Sequence, residues 1–156
     1  MAQPTMVDDY QAALVTLQEA GHKLTAPRKT ILHYLVSTDQ HPTADMIYQD
    51  LLKQGHQYSL ATIYNTLDIL ETCQLVLAID SEQDGKRHYD YFGHPHYHVI
   101  CVRCGRIADA NNFDFSQLPN AASQATGYHI QNYEVMVKGL CPQCQERLAT
   151  DQTEID

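Results

Sequence analysis

Ser59-Leu-Ala-Thr-Ile-Tyr-Asn-Thr-Leu-Asp-Ile-Leu-Glu-Thr-Cys-Gln-Leu-Val-Leu-Ala-Ile-Asp80 decides how the first half of the chain is built. Ser59 is a good helix N-cap, because its hydroxyl can accept from a first-turn amide. Leu60, Ile63, Leu67 and Leu70 then fall on one stripe at helical spacing. After Cys73 the period changes. Leu75–Asp80 and Lys86–Phe92 read as extended, separated by the polar, Gly-containing turn Ser81-Glu-Gln-Asp-Gly85. Upstream, Asp8–Gly21 carries Tyr10, Ala13, Leu14 and Leu17 on one face, with Gly21 as a stop. A second helix follows Thr25, with Pro27 tolerated in its first turn and Ile31, Leu32 and Leu35 aligned. A third begins at Thr43, carries Ile47, Leu51 and Leu52, and ends around Gly55. Helices closing on a hairpin predict a winged helix-turn-helix with the fourth helix as the reading helix.

Gly93-His94-Pro95 punctuates the chain as a hinge. Beyond it, Tyr97–Cys101 and Arg106–Asp109 read as strands. Asp114–Thr126 reads as a helix broken or started late at Pro119. Tyr128–Lys138 reads as a longer strand whose alternation changes phase, which predicts a bulge. Gln143–Ala149 reads as a short helix. The expected class is α+β, with a winged helix-turn-helix over 1–92, a hinge at 93–95, an α/β domain over 96–150 and a polar tail over 151–156.

At 156 residues, 44% of them hydrophobic, the chain has room for one domain or two small ones, and two small cores would each need a staple. Ten Lys+Arg against nineteen Asp+Glu give −9, which excludes a basic nucleic-acid coat or an anionic-membrane binder on net charge alone. No apolar run approaches the roughly 18 residues of a spanning helix. Met1–Tyr10 has no basic stretch followed by an apolar core, so the expected compartment is the cytoplasm. Disulfides are rare there, and the five cysteines read first as ligands or buried thiols.

Cys101-Val-Arg-Cys104 and Cys141-Pro-Gln-Cys144 are two CxxC pairs, the pattern of a tetrahedral thiolate site for structural zinc. The 36 residues between them, 105 to 140, exceed a minimal zinc ribbon, so a folded segment must bring the pairs together. The alternative, a redox dithiol, fits two copies without a βαβ context less well. Cys73, among apolar neighbours, reads as a buried thiol acting as a small hydrophobe.

His96-Tyr-His98 places two imidazoles on one face of a strand beside the first CxxC. The pair reads either as part of a second metal site or as exposed polar residues on a strand edge. Asp90 and Asp109 are candidate carboxylate partners, and His41, ahead of the third helix, is a candidate from the first domain. Three imidazoles and two carboxylates form a harder donor set than four thiolates and suit Fe(II), Mn(II) or Zn(II). Such a site would also fix the angle between a DNA reader and its partner domain.

Five segments carry a resemblance to the Fur (ferric uptake regulator) family. They are Leu24-Thr-Ala-Pro-Arg-Lys-Thr-Ile-Leu32, His41-Pro-Thr-Ala-Asp-Met-Ile-Tyr48, Ser59-Leu-Ala-Thr-Ile-Tyr-Asn-Thr-Leu67, His96-Tyr-His-Val-Ile-Cys-Val-Arg-Cys-Gly105 and Gly139-Leu-Cys-Pro-Gln-Cys144. The resemblance implies a homodimeric, metal-dependent transcriptional repressor, not an enzyme, whose N-terminal winged helix binds operator DNA and whose C-terminal α/β domain dimerises. Within the family the chain most resembles the peroxide-sensing PerR branch. The positions matching that branch's regulatory Fe(II)/Mn(II) site are His41, Asp90, His96, His98 and Asp109, and those matching its oxidised residues are His41 and His96. Iron sensors usually have Glu where Asp90 and Asp109 stand, and zinc sensors often have a Cys near the hinge. A third metal site found in some iron sensors is poorly matched at Tyr97 and Tyr133. The same fold sensing iron, manganese or zinc without peroxide chemistry is the nearest rival.

The reading helix has no Lys or Arg. Ser59, Thr62, Tyr64, Asn65 and Thr66 can reach bases and phosphates, and Tyr64 can pack on thymine methyls. Lys23, Arg28, Lys29, Lys86 and Arg87 are candidate phosphate contacts, although they can equally form a solvated face. Residues 1–92 hold six Lys+Arg and twelve Asp+Glu, or −6, so DNA binding must rest on a local patch and weaken steeply with salt. Two readings of other classes compete. A metal-dependent hydrolase would need a general base and a substrate pocket, and no nucleophile motif is visible. A zinc-ribbon adaptor leaves the helical reader and the His pair unexplained.

Overall fold

Hydroxyl side chains set the starts of three of the first four helices. In the computed structural model, which describes residues 5–92, 97–131 and 133–153, Thr5 begins α1 (Met6–Glu19) with a reciprocal capping box. The Asp8 amide donates to Thr5 Oγ1 at 3.3 Å, and the Thr5 amide donates to Asp8 Oδ2 at 3.1 Å. The cap lies at Thr5, so the helix opens at Met6, ahead of the expected Asp8. Thr43 caps α3 (Ala44–Lys53) by accepting from the Met46 amide at 3.2 Å, and Ser59 caps α4 (Leu60–Thr72) by accepting from Thr62 at 3.1 Å. The second helix, α2 (Ala26–Ser37), follows Thr25 without a side-chain cap and holds Pro27 in its first turn, where a missing amide costs nothing.

Three helix ends share one geometry. At Gly21 and Gly55 the chain turns through the left-handed region, and the next amide reaches back to the helix: His22 N to Leu17 O at 3.1 Å, and His56 N to Leu51 O at 2.9 Å. The end of α4 repeats these bonds, with Leu75 N to Leu70 O at 3.0 Å and Gln74 N to Glu71 O at 2.9 Å. There the left-handed position is Gln74, at φ 58°, in place of a glycine.

Leu17, Ile31, Leu32, Leu35, Ile47, Leu51, Ile63, Leu67 and Leu70 are fully buried, so every helix of this unit gives its apolar stripe to one core. The wing is an antiparallel hairpin of β1 (Val76–Asp80) and β2 (Arg87–Tyr91), in register from Val76 opposite Tyr91 to Asp80 opposite Arg87. Tyr89 inserts into the core from β2. Four helices closing on this hairpin form the expected winged helix-turn-helix.

Residues 1–94 and 95–156 are separate compact units. The expected hinge, Gly93-His94-Pro95, and His96 lie outside the described residues. The second unit is a three-stranded sheet ordered β4-β3-β5. Its β3 (Tyr97–Cys101) pairs antiparallel with β4 (Ile107–Ala110) and parallel with β5 (Met136–Gly139). The crossover holds α5 (Leu118–Thr126), which starts late because Pro119 belongs in a first turn.

Two expectations change here. The long strand over 128–138 is a strand only from Met136, continuing to Gly139. In the parallel ladder β3 pairs with residues 136–139, and His98 N to Val135 O at 3.4 Å lies just ahead of it. The strand begins where that ladder begins, and the change of phase falls ahead of it. The terminal helix, α6 (Pro142–Thr153), runs past Ala149 into the expected tail. Gln145, Glu146, Arg147, Leu148 and Ala149 are good helix formers, and Arg103 pairs with Asp151 at 3.7 Å.

Gln74→Gly should raise the stability of the first unit by up to about 1 kcal/mol, because a side chain in the left-handed region is strained. Thermal unfolding of the full chain checks this, and a lower midpoint in the variant contradicts it.

Candidate metal centres

The parallel register puts Cys101 opposite Gly139, two residues before Cys141. Val102 N donates to Gly139 O at 2.8 Å and extends the pairing past the strand ends, so both CxxC turns emerge at the same end of the sheet. The first turn is closed by Gly105 N to Cys101 O at 2.9 Å, with Gly105 in the left-handed region. The second sits at the start of α6, where Cys144 occupies the first turn and Gln145 N donates to Cys141 O at 3.0 Å. The four Sγ atoms all lie within 4.8 Å of one another.

Cys104 Sγ and Cys141 Sγ are 3.7 Å apart. A disulfide needs about 2.05 Å. Four sulfurs placed about 2.3 Å from a central zinc are about 3.8 Å apart, so the spacing is that of a tetrahedral zinc site. Backbone amides favour thiolate here. The Cys141 amide, 3.4 Å from Cys101 Sγ, and then the Cys104 amide hold the Cys101 thiol down to about 5. The Cys144 amide pulls the Cys141 thiol down, as at a helix N-terminus. Burial pushes Cys144 up to about 12, so a metal must displace its proton.

This cluster matters beyond its chemistry. Among the described residues of the second unit, only His98, Ile100, Cys101 and Cys144 are buried. A unit with so little apolar interior needs a staple. Cys73 is half-buried against the first unit's core, where burial raises its thiol pKa.

Each unit also holds a histidine–carboxylate pair drawn from the expected ligands. In the first unit, His41-Pro42-Thr43 lies along β2 as a short extra edge: Thr43 bridges His88, and Tyr89 N donates to Pro42 O at 2.9 Å. Pro42 is fully buried and fixes this loop. His41 Nε2 thereby stands 3.8 Å from Asp90 Oδ1, with side chains only 8% and 12% exposed. That separation is too long for a hydrogen bond. In the second unit His98 and Asp109 are register partners across β3 and β4, with Nε2 and Oδ1 3.4 Å apart and His98 buried. Two ligand atoms each about 2.1 Å from one ion stand about 3 to 3.5 Å apart, so both pairs have near-ligand spacing for a divalent cation. His96, the remaining expected ligand, lies outside the described residues.

Reading the sequence alone missed His88. Its Nδ1 is 2.6 Å from the His41 carbonyl oxygen and its Nε2 is 2.8 Å from Asp84 Oδ2. The signal was its position two residues before Asp90 on a strand, which puts both side chains on one face.

The expected DNA-contacting residues all fall in the first unit. Tyr64 and Asn65 are exposed on α4, and Ser59 is exposed at its start, although its hydroxyl is 2.9 Å from Thr62 Oγ1. Lys23, Lys29 and Lys86 are exposed. Arg28 donates to the Lys23 carbonyl at 2.8 Å, and Arg87 pairs with Asp80 at 3.0 Å.

The family model described as Ferric uptake regulator matches residues 19–138. The peroxide-responsive repressor PerR of Staphylococcus aureus is 32% identical over 139 residues, spanning 89% of this chain and 93% of that protein. A solved structure of PerR from Streptococcus pyogenes is 36% identical, covers 88% of this chain and 93% of its own, and superposes with a TM-score of 0.52. The Helicobacter pylori ferric uptake regulator, at 18% identity, shares the fold with a TM-score of 0.70, covering 93% of this chain and 97% of its own.

Cys104 is exposed, so Cys104→Ser removes a ligand without opening a cavity. The purified chain should hold one tightly bound zinc, and the variant should lose it to a chelator at least about tenfold more readily, with loss of order in the second unit. Zinc analysis with heteronuclear NMR checks this, and a variant that keeps stoichiometric zinc contradicts it.

Proposed function

The chain belongs to the ferric uptake regulator family, whose members are metal-dependent transcriptional regulators, and from that premise we propose that it is a peroxide-sensing repressor. In this reading it binds operator DNA as a homodimer in the cytoplasm, with structural zinc on Cys101, Cys104, Cys141 and Cys144. A regulatory Fe(II) or Mn(II) is held by His41, Asp90, His96, His98 and Asp109. The carrying observation is the two histidine–carboxylate pairs, each assembled within its own unit. The Staphylococcus aureus relative is named a peroxide-responsive repressor, which supports the same branch.

Each residue's role follows from its placement. His41 and Asp90 present a nitrogen and an oxygen from the first unit, and His98 and Asp109 do so from the second. Using ligands from both units lets one ion fix the angle between them. Fe(II) held there would activate peroxide, chemistry that Mn(II) would not supply. The net change at the His41 or His96 imidazole would be insertion of one peroxide oxygen into a ring C–H bond, with the other oxygen leaving as water. A damaged imidazole no longer ligates, the two units are released from each other, and DNA is lost. The event happens once per molecule, so the protein acts as a sensor rather than a catalyst.

Dimerisation is supported by the surface of the second unit. Phe113, Leu118, Tyr128, Met136 and Val137 are exposed there, and β5 is an edge strand with little buried on either face. DNA binding rests on Tyr64 and Asn65 of α4 for base contact and on Lys23, Arg28, Lys29 and Lys86 for phosphates. The divalent ion also offsets the charges of Asp90 and Asp109 in an acidic chain.

Treating the Fe(II) form with peroxide should add the mass of one oxygen atom to peptides containing His41 or His96 and abolish operator binding, while the Mn(II) form keeps both intact. Mass spectrometry with a gel-shift assay checks this. Retained DNA binding without the adduct would make the chain a metal sensor without peroxide chemistry.

A further inference from the structure

His88 sits on β2 with its ring 15% exposed and both nitrogens engaged. Nδ1 faces the His41 carbonyl oxygen at 2.6 Å and Nε2 faces Asp84 Oδ2 at 2.8 Å. A backbone carbonyl can only accept, so Nδ1 donates to His41, while Nε2 faces the Asp84 carboxylate. His88 and Asp90 share one strand face, and the two grip the same residue from different sides. Asp90 stands at the His41 imidazole and His88 at its carbonyl.

The other end of the bridge is the wing turn. Asp84 Oδ1 accepts from the Lys86 amide at 2.9 Å. Gly85 N donates to Ser81 O at 2.9 Å, and Ser81 N to Lys86 O at 2.9 Å. A continuous path of hydrogen bonds therefore runs from the turn through Asp84 and His88 to the peptide that carries His41.

We propose that His88 is a positioning residue that orients His41 for the regulatory ion and ties the filled site to the wing turn, so that metal binding stiffens the wing. This rests on the reading of His41 as a ligand of that ion. A ligand held from its backbone binds metal more tightly because less orientation is lost on binding. Coupling is reciprocal, so whatever the ion contributes to ordering the turn, an ordered turn returns as metal affinity. The consequence for DNA is local: Lys86, a candidate phosphate contact, is the residue whose amide Asp84 holds.

The test uses full-length, zinc-loaded protein titrated with Mn(II). Free Mn(II) is read by electron paramagnetic resonance, and exchange of the wing-turn amides, Gly85 and Lys86 among them, by hydrogen–deuterium exchange mass spectrometry. His88→Phe should weaken Mn(II) binding by about tenfold, and Mn(II) should no longer slow wing exchange. His88→Arg, which keeps donors for both acceptors, should recover most of both effects, an outcome that general damage to the fold would not give. Asp84→Ala, on an exposed turn, should keep Mn(II) affinity within about threefold, because the His41 carbonyl bond remains, yet lose the Mn(II)-dependent slowing. Mn(II) affinity lost in His41→Ala but kept in His88→Phe overturns the inference alone. So does wing exchange that ignores Mn(II) in the native chain, or that slows equally in Asp84→Ala. Affinity unchanged in His41→Ala overturns the ligand reading and the inference with it.

Discussion

The parallel pairing of β3 with β5 is the constraint on which the second half of this protein depends. It sets Cys101 against Gly139 and brings together two CxxC turns separated by 36 residues. The sulfurs then meet at a spacing too wide for a disulfide and right for zinc. With two of its four buried described residues drawn from that cluster, the unit has, in place of a conventional apolar interior, a four-cysteine cluster suited to zinc. The short sheet that results also carries His98 and Asp109 as register partners on adjacent strands, on the same β3 that ends at Cys101.

The first unit is built in the opposite way. Nine fully buried aliphatic residues from four helices make a core that needs no staple. Its functional geometry comes instead from a loop. His41-Pro-Thr43 is pinned to β2 by Pro42 burial and backbone pairing, and β2 answers with Asp90 on the imidazole and His88 on the carbonyl. A candidate metal ligand and the wing hairpin are thus parts of one hydrogen-bonded structure. The net charge of −9 fits that arrangement. In the proposed function, an acidic chain with a few exposed lysines would have little affinity for DNA in reserve, and its binding would be conditional on what the metal adds.

Much of this was legible in the residues. Thr43 and Ser59 announced two helix starts because capping is local chemistry, and the paired CxxC spacing announced the four-cysteine cluster. The alternation of β2 could have shown His88 beside Asp90. Non-local facts were not legible. The strand expected over 128–138 shrank to Met136–Gly139 because strand length is set by the partner, and β3 is short. The terminal helix outran its expected end because an ion pair from Arg103, far away in sequence, supports its last turns. The pairing of the His41 loop with β2 spans 45 residues and leaves no periodic trace.

The central claim is that DNA affinity is conditional on the regulatory ion. The direct measurement is operator affinity of the zinc-loaded chain at one fixed salt concentration, with and without saturating Mn(II). The account predicts that Mn(II) tightens binding by about tenfold or more, and that the gain disappears in Asp90→Asn. Equal affinity with and without Mn(II) would contradict it.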